Sequence, residues 1–214
     1  MLLVTLLFSA MCSAEDLVLK DVLQADSSQP GKLGKTRKVV IAWSGDDHPP
    51  MTHGYRFFAK LYGDLFSKVA GVQVISVEGF PDAESWKEAD LVLFYLTIKE
   101  LNDTQYALLD AHLAKGKGLI VLHQGIVQRK RTSDWADRIG YSYRWDKEKG
   151  SKWGAFSSPV TFDVSHPIFA GFPKSVPYRD ELYWRLEKGK RGVVTDLATA
   201  KAPANKEKSD QQWP

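Results

Sequence analysis

The chain has 214 residues, enough for one α/β domain of ordinary size and too few for two. With 43% hydrophobic and 26% charged residues it is neither collagen-like nor wholly disordered, and a formal net charge of +3 does not call for a nucleic-acid partner. Its one cysteine, Cys12, removes disulfide frameworks, cysteine-based zinc sites and thiol nucleophiles from the body of the protein.

Met1 to Met11 reads MLLVTLLFSAM, an uncharged apolar run of export-signal length and too short to span a bilayer as a helix. Small residues Cys12-Ser13-Ala14 and polar Glu15-Asp16 follow, so residues 1–14 are expected to be a signal peptide cleaved after Ala14. The mature protein is then expected to be periplasmic or extracellular, without stable membrane insertion. Residues 15–37 read as a linker, rich in Ser, Gln, Pro, Gly and Lys from Asp26 onward. The folded domain is expected over 38–200, with a polar, patternless tail over 201–214.

Val39 to Trp43 is a continuous β-branched run, the mark of a strand buried on both faces. After a loop from Ser44 to Met51, Thr52 is expected to cap a helix carrying Tyr55, Phe58, Leu61, Tyr62, Leu65 and Val69 at helical spacing. Val72–Val77 and Asp90–Tyr95 read as further strands. Asn102 with Gln105 resembles a capping box opening a helix from Asp103 to Lys115, which Gly116-Lys117-Gly118 stops. Leu119–His123 is a fourth buried strand. This order argues for an α/β fold, a mostly parallel sheet flanked by helices, flavodoxin-like or class I glutamine amidotransferase-like.

Beyond His123 the character changes. Residues 129–152 hold eight Lys/Arg against four acids, interleaved with Trp135, Tyr141, Tyr143 and Trp145 and followed by Trp153. A nucleic-acid surface has such a composition, yet no recognised binding motif accompanies it, and a solvated insertion with an exposed hairpin is the expected reading. Shorter strands are expected at Pro159–Val164, Asp180–Leu186 and Gly192–Leu197.

In an open parallel sheet, chemistry gathers at the carboxyl ends of the strands, where loops converge on a crevice. His48, His53, Asp46, Asp47 and Arg56 follow the first strand; Tyr95 and Thr97 end the third; His123 and Gln124 end the fourth; Asp180 and Glu181 arrive on a later element. Each has an ordinary reading too: loop packing for His48, a helix flank for His53, a surface salt bridge for Asp180-Glu181. His123 is hardest to dismiss, because burying an imidazole at the end of an apolar strand costs free energy unless it finds partners. His112 reads as a helix-surface residue and His166, before Pro167, as a turn.

Two familiar chemistries fail on these residues. An amidotransferase of this architecture needs a Gly-x-Cys-x-Gly turn after the apolar strand, and His123 stands where the thiol belongs, so acyl-thioester chemistry is excluded. A flavodoxin-like phosphate cradle needs glycine and hydroxyl residues, whereas Ser44-Gly45-Asp46-Asp47 brings two carboxylates, which disfavours a mononucleotide.

Four stretches together resemble the ThuA-like (trehalose utilisation) family: His48-Pro49-Pro50 with Thr52-His53-Gly54-Tyr55-Arg56, Gly116 to His123, His166-Pro167-Ile168-Phe169 with Gly171-Phe172-Pro173, and Asp180-Glu181-Leu182-Tyr183. The resemblance runs from about Lys38 to Thr199. It implies an amidotransferase-like fold without the catalytic cysteine, and a role in bacterial catabolism of disaccharides or oxidised sugars. Relatives continue past a tryptophan like Trp213 into a Gly-Arg-Val-Phe…Gly-His strand, where this chain stops at Trp213-Pro214; a final strand and an exposed sheet edge are therefore at issue.

The expectation is an exported enzyme, a hydrolase, lyase or isomerase, acting on a disaccharide or keto-sugar glycoside. His48, His53, His123, Asp180 and Glu181 are the candidate catalytic groups, and Trp43, Tyr55, Arg56, Tyr95, Gln124 and Tyr183 the candidate sugar contacts. His53 and His123 are equally candidates to hold a divalent metal such as zinc, with Glu181 or Asp180 as partner carboxylate. A non-catalytic carbohydrate-binding or scaffolding module on the same fold is the competing expectation.

Overall fold

The computed structural model describes residues 36–44, 53–146, 149–202 and 212–213. The expected signal peptide over 1–14, Thr52 and His48 with the rest of 45–52 lie outside the described residues.

Four parallel strands form the central sheet: β1 (Arg37–Trp43), β2 (Val72–Glu78), β3 (Leu91–Tyr95) and β4 (Gly118–Val121), in the order β2-β1-β3-β4. The alternation of a strand explains its two buried faces. Val40, Ala42, Val92, Phe94, Leu119 and Val121 join one core; Val39, Ile41, Leu93 and Tyr95 point the other way into a second. Helix α1 (Tyr55–Ser67) closes the second core with Tyr55, Ala59, Phe58 and Tyr62, the last two stacking at 4.1 Å one helical turn apart. Helices α2 (Ala83–Glu88) and α3 (Asp103–Ala114) close the first with Trp86, Tyr106 and Leu109. Burying each such side chain contributes about 1.5–3 kcal/mol, so the doubly covered sheet is the main source of cohesion.

The expected capping box is present: Asn102 Oδ1 accepts from Gln105 N at 2.9 Å and Asn102 N donates to Gln105 Oε1 at 3.0 Å. Gly116, at φ 69°, takes the left-handed conformation that ends α3. Helix α1 starts differently. Gly54 occupies its N-cap position without a side-chain bond.

The 129–152 reading is corrected. The segment begins after β5 (Val127–Gln128) and contains helix α4 (Thr132–Ile139) and β6 (Tyr141–Arg144), with Trp135, Ala136, Ile139, Tyr141, Ser142 and Tyr143 buried. Several of its described charges, on the outer face, bind the fold. Arg138 grips Asp110 of α3 through two bonds of 2.6 and 2.7 Å, while Arg131 pairs with Asp103 and Asp134. Tyr106 sits under both guanidiniums, at 4.2 and 4.6 Å. The high basic count of the segment hides one apolar helical face made by positions 135, 136 and 139.

A second, antiparallel sheet joins β7 (Lys152–Phe162), β8 (Ser175–Trp184), β10 (Ala198–Lys201) and β11 (Gln212–Trp213) in the order β11-β10-β7-β8 and is built on the long β7–β8 hairpin. A short β9 (Glu187–Lys188) pairs with β6. Gly192–Leu197 is not a strand; pairing with β7 is taken up by β10 (Ala198–Lys201), and Val193 stands 93% exposed. Within the expected tail, β11 (Gln212–Trp213) pairs with β10. Among the described residues no helix is long and apolar enough to cross a membrane.

Candidate active site

Strand β4 ends at Val121, and the chain turns at once into a 3-10 turn, His123–Ile126. His123, expected as the last residue of this strand, therefore lies two residues past its end, at φ 45°. A left-handed non-glycine residue costs about 1–3 kcal/mol and persists only where the surroundings enforce it. Here Gly125 N donates to Leu122 O, Gly125 O accepts from the buried Trp135 indole at 3.0 Å, and Ile126 O accepts from Ser142 Oγ at 3.0 Å. The buried part of α4 and β6 thus braces the turn that aims His123.

His53 enters from the start of α1, where its carbonyl accepts from Tyr55 N. Its Nε2 lies 2.8 Å from His123 Nε2, a hydrogen bond in which one ring donates and the other accepts. Glu181 reaches in from β8, its Oε1 3.5 Å from His123 Nε2. One ligand atom from each of His53, His123 and Glu181 falls within 4.8 Å of the others. The three side chains come from three separate elements, the start of α1, the turn after β4 and β8.

Aromatic rings hold the cluster. Tyr183 lies flat against His123, centroids 4.9 Å apart and planes 5° from parallel, with its hydroxyl 3.4 Å from Nε2. Tyr55 stacks on His53 at 5.5 Å and shares a 3.0 Å hydrogen bond with Thr97 Oγ1. Tyr95 packs between Tyr55 and His123. Burial, then the Glu181 charge and its hydrogen bond, pushes the Tyr183 phenol well above its ordinary range. Tyr95 is pushed up to about 12, first by burial and then by the charges of Asp180 and Glu181. These phenols keep their protons and serve as donors around an acidic centre.

The remaining candidates are dispersed. Trp43 turns toward β2, its indole donating to Ser76 Oγ at 3.0 Å, and Arg56 lies over its ring at 5.6 Å. Both line a groove with Lys60 and Ser67 on the α1–β2 side, apart from the histidine pair. Asp180 follows the alternation to the other face of β8, where its Oδ1 accepts from Glu181 N, while its charge still acts on Tyr95 beside the histidines. Gln124 is half-buried in the 3-10 turn. His112 is buried, its Nε2 2.9 Å from Gly118 O and its ring edge-on to Trp86, and is no surface residue. His166 Nδ1 accepts from Ile168 N and caps a turn. Tyr143, not among the expected site residues, meets Tyr183 edge-on at 5.4 Å; its alternation with Tyr141 on one strand is the sequence signal for it.

The donor set suits a divalent metal. Two imidazoles and a carboxylate match the three-ligand pattern of catalytic zinc with an open position. Such an ion would be held by one ring nitrogen of each histidine and a Glu181 carboxylate oxygen, atoms that lie within 4.8 Å of one another.

A family model described as ThuA, trehalose utilisation, matches residues 38–214. The chain belongs to the ThuA family. Its fold matches a ThuA-like protein from Parabacteroides merdae, with a TM-score of 0.61 at 14% identity over 84% of this chain and 73% of that one. A ThuA-like protein from Bacteroides uniformis gives 0.60 at 14% identity over 78% and 68%. The glutaminase domain of Trypanosoma brucei CTPS gives 0.40 at 9% identity over 70% and 68%. No curated protein matches the chain significantly. At such identities the ThuA-like structures establish the fold, while the chemistry must be argued from the site.

Proposed function

We propose that this ThuA-family protein is an exported sugar-catabolism enzyme acting on a disaccharide or keto-sugar glycoside, with His53, His123 and Glu181 as its reacting centre. The observation that carries this reading is the meeting of two imidazoles and a carboxylate within 4.8 Å. A divalent metal such as zinc, held by these three, would supply Lewis-acid polarisation of a sugar oxygen or keto group. The chain's own groups do the rest. Tyr183 fixes the His123 ring and Glu181 by stacking and hydrogen bonding, and Tyr95 presents a protonated phenol nearby. The family's description supports a sugar as substrate, and the apolar run Met1–Met11 supports export.

A metal-free acid-base reading is favoured by one specific observation, the 2.8 Å Nε2–Nε2 contact. There the pair shares one proton and passes it to or from a substrate carbon or leaving oxygen.

The test is turnover of trehalose, sucrose and their 3-keto forms by the purified protein before and after chelation with EDTA. Turnover lost on chelation and restored by zinc fits the metal reading; turnover unaffected by chelation but lost in His123→Ala fits the acid-base one. Calorimetric binding that survives in a His53→Ala/His123→Ala double variant, with no turnover by the wild type, identifies a binding module instead.

A further inference from the structure

Two exposed tryptophans outside the candidate site connect to it through Tyr183. Trp153 is 58% exposed and Trp145 60% exposed, whereas Trp86, Trp135 and Trp184 are buried. Trp153 is the direct cross-strand partner of Tyr183 in the β7–β8 pair, so the two side chains leave the same face of the sheet. Glu181 and its partner Ala155 follow on that face, and Ala155 and Ser157 are exposed, leaving an open floor beside the carboxylate. Trp145 is reached by another route, through Tyr143, which contacts Tyr183 at 5.4 Å and Trp145 at 5.8 Å. Trp145 then borders an open groove with Arg144, Thr132, Ser133 and Glu187. Arg129 lies 5.6 Å over the indole.

We propose that Trp153 and Trp145 form a sugar-binding extension of the His53–His123–Glu181 centre, stacking on the ring of a disaccharide or longer glycan that lies beyond the reacting one. This inference rests on the sugar reading above. A flat indole offers an apolar face to the C–H face of a pyranose, while hydroxyls and a guanidinium alongside match its rim. Single exposed apolar residues are ordinary on any surface. These two are distinguished by their links to half-buried Tyr183, which touches His123: Trp153 is its direct cross-strand partner and Trp145 is connected to it through Tyr143.

The experiment is calorimetry with trehalose and with glucose on the full chain, wild type beside Trp153→Ala, Trp145→Ala and the double variant, with zinc affinity and melting temperature measured for each. The expected result is tighter binding of trehalose than of glucose by the wild type. Each single variant should weaken trehalose about tenfold, with glucose and zinc unchanged. Trehalose affinity unchanged in the double variant, a trehalose loss matched by glucose, or zinc affinity falling alongside overturns the extension while leaving the sugar reading intact. Wild-type protein that binds neither sugar overturns that reading, and the extension with it.

Discussion

The Tyr183 ring lies parallel to the His123 imidazole at 4.9 Å, while its hydroxyl reaches both Glu181 and the Nε2 atom of the same histidine. One residue thus orients two members of the proposed centre. Tyr183→Ala is expected to weaken zinc binding about tenfold or more, in the manner of lost outer-shell support. Tyr183→Phe keeps the stack and should lose only a few-fold. Zinc titration of the two variants checks the order.

Gly125 is crowded. A Cβ there would meet Val121 Cγ1 at 2.8 Å and Phe94 O at 3.3 Å, and its carbonyl holds the Trp135 indole. Gly125→Ala should therefore destabilise the fold by about 1–3 kcal/mol, seen as a melting temperature lower by several degrees. Because the turn aims His123, the same variant should also weaken zinc binding.

Tyr95, with its phenol pushed up to about 12, ties stability to alkaline pH. Its folded value lies above the unfolded one, so its contribution is full below about pH 10 and is lost as pH rises toward 12. Burial pushes Tyr183, Tyr178 and Tyr141 up as well, in the same direction. Circular dichroism and tyrosinate absorbance should change together in this window, phenol ionisation accompanying unfolding. In Tyr95→Phe the stability loss should be smaller.

His112 acts at the opposite end of the scale. Burial holds its imidazole below the ordinary 6.5, so the unfolded chain takes up the proton first and stability falls as pH drops through and below that value. His112→Ala should cost about 2–3 kcal/mol at pH 8 through the lost contact with Trp86 and the bond to Gly118 O. It should also flatten the stability profile between pH 5 and 7. Urea unfolding at both ends of that range reads both effects.

The parallel sheet was legible because β1, β3 and β4 are unbroken apolar runs, and α3 because its capping box is local chemistry. His53 and His123 were legible for a related reason, since they follow strands of that sheet and its strand ends converge wherever they lie in sequence; Glu181, inside β8 of the second sheet, was legible only as half of the Asp180-Glu181 acid pair. What was hidden depends on tertiary contacts. The charges of 129–152 masked α4 because Arg131 and Arg138 find their partners on α3, far away in the chain. Trp43 and Arg56 sit near the right strand end, yet Trp43 turns toward Ser76 on β2, a choice of side that spacing does not encode. The extent of the β7–β8 hairpin was missed because its exposed face breaks the apolar pattern at Ala155, Ser157 and Arg179.

The most direct test of the central claim is a zinc-binding isotherm on purified, chelator-stripped protein and on His53→Ala, His123→Ala and Glu181→Ala. One ion should bind per chain, with affinity reduced at least about tenfold in each variant while melting temperatures show each still folded. Zinc bound equally well by all three variants, or not bound by the wild type at all, would contradict a metal centre built from these side chains.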